Sequence, residues 1–236
     1  MAQTKPLSVL DMAFFLLESA ERMANIGPIA ILKPPQDGRS AGEFADWLMA
    51  QMRLQPVGYP FDYTYAPLSL RGLPRLEKTD DIDLDNHCFR MTLPAPGTQR
   101  QLFDLVCDMH VQRLDRSLPL WEFYVIDGLE HGRIALYAKV HHGLIDGIGF
   151  IDVCTRWFDI DPKSTEIHAM WQGLPAPTHS DSDPSFVENI KHIARRALGT
   201  GLTLGSFTRL LAHQAQKSFG RGKGTPLPFT HTSEAF

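Results

Sequence analysis

The stretch LWEFYVIDGLEHGRIALYAKVHH, residues 120–142, constrains the fold of this chain more than any other. Two runs rich in aromatic and β-branched residues flank Asp127-Gly128 and His131-Gly132, the pattern of a β-hairpin with a longer loop. The second run leads straight into His141 and His142, and the chain continues as GLIDGIGF through a glycine-rich bend. Adjacent residues on a strand point to opposite faces, so one histidine must face the core and the other a cleft or solvent.

Helical patterns surround this hairpin. Ser8 with Asp11 forms a capping-box pattern ahead of Leu10, Phe14 and Leu17, which predicts a buried helix over 8–19. IGPIAILKPP (26–35) reads as a strand stopped by paired prolines. Ser40 with Glu43 opens a second helix, running to about residue 54, with Phe44, Trp47, Leu48 and Met52 on one face. Residues 55–96 read as irregular. Thr98 to Arg116 reads as a third helix with a stripe of Leu102, Leu105, Val106 and Met109. A fourth is expected over 147–158, with Ile148, Ile151, Val153 and Trp157 available for packing. Strands and helices mixed in this way indicate an α/β class, and 236 residues at 43% hydrophobic can bury a substantial core.

Residues 159–185 have the Pro/Ser/Asp texture of a connection. The expected organisation is a domain over 1–160, a linker over 161–184, a basic helical segment over 185–220, and the start of a further linker over 221–236. Residues 1–184 carry sixteen Lys/Arg against twenty-five Asp/Glu, whereas 185–223 carry seven basic residues against Glu188 alone. Such a segment suits a solvated face, an anionic lipid surface or a phosphorylated ligand. It lacks the interleaved aromatic platform that single-stranded nucleic acid would require, and no nucleic-acid partner is expected. Cys88, Cys107 and Cys154 are scattered and odd in number, which points to a reducing, cytoplasmic setting. No signal-peptide pattern opens the chain, and no apolar run approaches the roughly 18 to 20 residues of a membrane span.

The histidines admit several chemistries. By residue type either one is a candidate for a hydrogen-bonded core position. Adjacent histidines on an extended strand do not converge on one ion, and Asp146 is the only nearby oxygen ligand, so no metal is expected. A G-x-S-x-G elbow is absent from the sequence, which weakens a Ser-His-Asp reading. General-base catalysis needs only one neutral imidazole whose other nitrogen is held as a donor. Gly143 and Gly149 would keep the surroundings thin enough for substrate to approach.

His141-His142-Gly143-Leu144-Ile145-Asp146-Gly147 resembles the HHxxxDG signature of the coenzyme A-dependent acyltransferase superfamily. PLSVLDMAFFLLES near the start and PLWEFYVIDGLEHGRIALYAKVHHGLIDG (119–147) are similar to the corresponding blocks of the wax ester synthase/diacylglycerol acyltransferase family. The resemblance covers residues 6–160 well and the basic segment loosely. It implies a chloramphenicol acetyltransferase-like, two-layer fold with a mixed sheet and flanking helices, of which this chain is the N-terminal half. It further implies His142 as the base, His141 as a supporting residue, and Asp146 as an architectural residue bracing the loop through a charge pair. Gly147 would permit the bend, and Pro119, Leu120 and Trp121 would form a block more structural than substrate-lining.

The implied reaction joins an acyl-CoA co-substrate to a long-chain alcohol or a diacylglycerol, with no bound cofactor. Peripheral association with membrane or lipid droplets would accompany such substrates. Members of the family are about twice as long, so a C-terminal half carrying an Asn-Asp motif and the rest of the cleft is expected, and this chain alone should be inactive. A condensation-domain-like or small-molecule acyltransferase, or a non-catalytic binding module of the same fold, would share the signature.

Overall fold

The computed structural model describes residues 3–176 apart from 20, 21, 68, 70–72, 159–163 and 165. All lie within one unit of the chain, Met1–Ser182. The basic segment over 185–220 and the stretch over 221–236 fall outside the described residues.

The hairpin forms as expected. β7 (Trp121–Asp127) and β8 (Ile134–His141) pair antiparallel, with Trp121 opposite Val140 and Ile126 opposite Ala135. Every residue of β8 is buried, which makes it the centre of the sheet. On its other side lie two short strands, β2 (Asn25–Ile26) and β3 (Ile29–Leu32), both antiparallel to it. The single strand expected over 26–35 is broken at Gly27-Pro28, because proline offers no N–H to a ladder and Gly27 passes so close to Ala138 that a Cβ would lie 2.2 Å from its carbonyl oxygen. β6 (Cys88–Thr92) adds to β7 in parallel and completes a mixed five-stranded sheet.

β6 corrects the reading of 55–96 as irregular, as does a second, three-stranded antiparallel sheet ordered β1 (Thr4–Pro6), β5 (Arg75–Lys78), β4 (Tyr63–Ala66). These strands are three to five residues long and mix charged with aromatic side chains, so no period stands out along the chain.

Among the described residues, four α-helices flank the sheets. α1 (Val9–Leu17), α2 (Ala41–Met52) and α3 (Gln99–His110) each begin with a complete capping box, closed by Ser8–Asp11, Ser40–Glu43 and Thr98–Gln101. The α3 stripe packs on one face of the large sheet: Leu102, Val106 and Met109 join Ile126, Ala135 and Tyr137, with Leu105 partly buried. α3 ends at His110 rather than Arg116, since Asn25 bonds the His110 and Gln112 carbonyls and the two following arginines turn toward α1. In α2 the buried face is Ala45, Leu48, Met49 and Met52. Phe44 and Trp47 instead hold the Arg39 guanidinium, 5.1 and 4.3 Å from their ring centres.

α4 (Gly147–Trp157) buries Phe150, Val153 and Trp157, while Ile148 and Ile151 stand 82% and 66% exposed, contrary to the packing expected of them. Trp157 meets Phe123 edge-on at 5.3 Å, and Phe123 and Trp121 in turn contact Trp171. Trp171 is fully buried. Ala169, Met170 and Trp171, which fall within the linker expected over 161–184, are buried against the sheet.

Candidate active site

β8 delivers both histidines to one end of the large sheet. The His141 amide donates to the Leu120 carbonyl (3.0 Å) and the His142 amide to the Ala24 carbonyl (2.7 Å), so strand pairing continues on both sides to the last residue. The chain then turns, and Leu144 and Ile145 bury themselves beneath the turn.

The two rings meet consecutive residues of α1. His141 stacks on Phe15 at 4.3 Å and His142 on Phe14 at 4.0 Å. Their surroundings differ sharply. His141 is 1% exposed, while His142 is half-buried. The buried Nδ1 of His142 has no hydrogen-bond partner among the described residues.

His141 is hydrogen-bonded at one edge and faces a carboxylate at the other. Its Nδ1 accepts the Gly143 amide at 3.0 Å, which requires that nitrogen to be unprotonated. Its Nε2 faces Glu18 Oε1 at 3.6 Å, just beyond hydrogen-bond reach, and both atoms are buried without a hydrogen-bond partner among the described residues. Burial pushes the His141 imidazole down to about 4; the Glu18 charge opposes that shift without overcoming it.

Glu18 is the residue that caps the C-terminus of α1. The structure makes it the hub of the site. Its side chain is 1% exposed, and Oε2 accepts from Arg113 Nε (2.9 Å) and Arg116 Nη2 (2.8 Å). Arg116 also donates to the Phe15 carbonyl at 2.8 Å and lies over the stacked rings of Phe15 and Tyr65. Burial alone would raise the Glu18 carboxyl, but the bonds from Arg113 and Arg116, with the field of His141, outweigh it and hold the group below its ordinary value. One signal was available in the sequence: a carboxylate at a helix C-terminus opposes the helix dipole and needs compensation from elsewhere.

Asp146 is exposed and caps α4, its Oδ1 accepting the Gly149 amide at 2.7 Å. Among the described residues no cation pairs with Asp146, and its carboxylate accepts a backbone amide. Gly147 starts α4 with nothing within 4 Å of where a Cβ would stand, so the bend itself does not require glycine. Gly143 is likewise not a gap for substrate. A Cβ there would lie 2.4 Å from the Phe15 ring, so its hydrogen admits α1 rather than a ligand. A Cβ on Gly149 would meet Ile145 at 3.0 Å.

The Pro119-Leu120-Trp121 block lies in the core. Leu120 and Trp121 are 1% and 0% exposed, the Trp121 indole donates to the Phe61 carbonyl at 2.9 Å, and His87 stacks on its ring at 4.3 Å. Pro119 bridges to Thr64 of the small sheet. Among the described residues no group of three or more His, Cys, Asp or Glu is placed to hold a metal, and no helix is long and apolar enough to cross a membrane.

Residues 7–233 match the family model for the wax ester synthase/diacylglycerol acyltransferase catalytic domain. The chain belongs to this family. A Mycobacterium tuberculosis relative, named "Probable diacyglycerol O-acyltransferase tgs2", is 36% identical over 181 residues, 74% of this chain and 39% of that protein. Another from the same organism, Tgs4, is 31% identical and covers 77% of this chain and 37% of its own length. Among solved structures, the wax ester synthase/diacylglycerol acyltransferase of Marinobacter aquaeolei VT8 superposes with a TM-score of 0.65 at 26% identity, covering 82% of this chain and 47% of that one. The first condensation domain of the calcium-dependent antibiotic synthetase superposes at 0.50 with 15% identity, over 86% of this chain and 49% of that one, which is a likeness of fold. The fold is thus the coenzyme A-dependent acyltransferase fold expected. The chain spans about two fifths of the length of the curated relatives it matches.

Proposed function

We propose that this chain carries the histidine-bearing half of an O-acyltransferase that joins a fatty acyl-CoA to a long-chain alcohol or a diacylglycerol. The observation supporting this most directly is the contrast between the paired histidines: His141 is sealed and neutral, while His142 keeps a half-exposed ring stacked on Phe14. With its Nδ1 buried, the His142 ring meets an incoming hydroxyl through Nε2, and the acceptor that holds the Nδ1 proton comes from outside the described residues. That nitrogen takes the hydroxyl proton as the oxygen attacks the thioester carbonyl, and the imidazolium then protonates the departing thiolate. No covalent acyl-enzyme is needed, and acyl-CoA is a co-substrate rather than a resident cofactor. The oxyanion donors and the rest of the acyl tunnel belong to the C-terminal half of the enzyme.

The test is turnover by the full-length protein supplied with palmitoyl-CoA and either hexadecanol or diacylglycerol, followed by thiol release. His142→Ala is expected to slow the reaction by about 10²- to 10⁴-fold with the fold intact, and a full rate in that variant removes the base. The basic 185–223 segment, with Leu198, Leu202, Leu204, Phe207, Leu210 and Leu211 among its cations, suits peripheral binding to an anionic membrane or droplet surface. Liposome flotation should then be salt-sensitive and weaken when Arg195, Arg196 and Arg209 are neutralised. Flotation that ignores both changes contradicts the surface reading.

A further inference from the structure

Glu18 is 123 residues from His141 in sequence, yet it supplies the charged atom facing that histidine's Nε2. The Nδ1 side of the ring is already committed, because it accepts the Gly143 amide across His142. This bond closes a small loop of backbone with His142 as its middle residue. Any change that moves a proton onto His141 Nδ1 sets N–H against N–H, opens that loop and frees the direction of the His142 side chain. What decides the tautomer is therefore the group facing Nε2.

That group is well placed to decide it. A carboxylate accepts and cannot donate, and Glu18 stays a carboxylate because Arg113 and Arg116 both bond its other oxygen. The arginines also fix its height along α1: Arg116 bonds the Phe15 carbonyl, and Arg113 bonds the Glu18 carbonyl at 3.4 Å. The same helix contributes Phe14 and Phe15, which stack on the two rings.

We infer that Glu18 is a positioning residue for the base: held by Arg113 and Arg116, it keeps the proton of His141 on Nε2, so that Nδ1 binds the Gly143 amide and the backbone on either side of His142 is fixed. This inference rests on the reading of His142 as the base. Glu18 touches no reacting atom and acts only through His141.

The first measurement needs no variant. The 15N shifts of His141 in the full-length protein should show Nε2 protonated and Nδ1 unprotonated at neutral pH, and protonation on Nδ1 overturns the inference. Secondly, Glu18→Gln should lower kcat on the order of 100-fold, the scale of loss when a reacting group is misplaced by about 1 Å, with the KM for palmitoyl-CoA little changed. His141→Asn provides the discriminating background. An asparagine Oδ1 takes the place of Nδ1 as acceptor for the Gly143 amide and has no tautomer, so Glu18→Gln should cost less than about 3-fold there. An equal loss in both backgrounds means that Glu18 serves packing alone and overturns the inference. If His142→Ala slows turnover as expected while Glu18→Gln runs at full rate, the base stands and only this inference falls. If His142→Ala itself runs at full rate, the underlying reading falls first.

Discussion

His141 and His142 are neighbours in sequence and stand in two different media. One is enclosed by Phe15, Glu18 and the Gly143 amide; the other stacks on Phe14 and is half-buried. Identical side chains thereby acquire different properties. Enclosure removes the ability of His141 to take a proton near neutrality and turns it into a structural hydrogen-bonding element. His142 stays half-buried, stacked on Phe14. Environment rather than residue type assigns the chemistry.

The sharpest way to break this contrast is to delete each ring in turn. His142→Ala should cost the full-length enzyme about 10²- to 10⁴-fold in rate while its thermal melt stays in place. His141→Leu should instead destabilise the fold by about 1–3 kcal/mol, the penalty of stranding the buried Gly143 donor, read by denaturant unfolding. Equal destabilisation by the two substitutions would erase the distinction. Gly143→Ala probes the seam between them: its Cβ lands 2.4 Å from the Phe15 ring, and overpacking of this kind costs about 1–3 kcal/mol.

Acid sharpens the same comparison. The His141 imidazole is lowered to about 4 by burial, against about 6.5 in an unfolded chain. Between those values the unfolded chain binds a proton that the folded chain refuses, so stability falls as pH drops from about 6.5 to about 4 and this contribution levels off below. His87 and His110, both lowered chiefly by burial, act in the same direction. Glu18 is held low and gives up its contribution at more acid pH. Melting temperatures of His141→Asn between pH 7 and 4 should decline less steeply than wild type, and identical slopes would show that His141 is not the buried neutral ring described. The smallest effect belongs to the open side of the site: Ile148→Ser, at an 82% exposed position, should change stability by less than about 0.5 kcal/mol, whereas Val153→Ser on the buried face of α4 should cost several times more.

Much of this architecture was legible because it is written in local patterns. The capping boxes at Ser8 and Ser40 start helices where expected, and the hairpin carries the histidines to a strand end. The α3 stripe packs as read. Signals failed where distant partners decided the outcome. α3 stops at His110 because Asn25, Arg113 and Arg116 find bonds elsewhere. β6 exists because β7 offers it a parallel edge, and Trp171 is core because Trp121 and Phe123 await it. Gly143 suggested room for a ligand, but the space is filled by Phe15, a residue 128 positions earlier.

The order of residues along the chain determined the elements and the histidine doublet, since caps, turns and side-chain periodicity act over a few residues. It also determined the family, through motifs short enough to read. Tertiary structure alone decided which histidine is sealed and which is half-buried, because that depends on a carboxylate and two arginines almost a hundred residues apart in sequence that the fold brings together. Burial and charge pairing are properties of a place in space, and no local pattern encodes them.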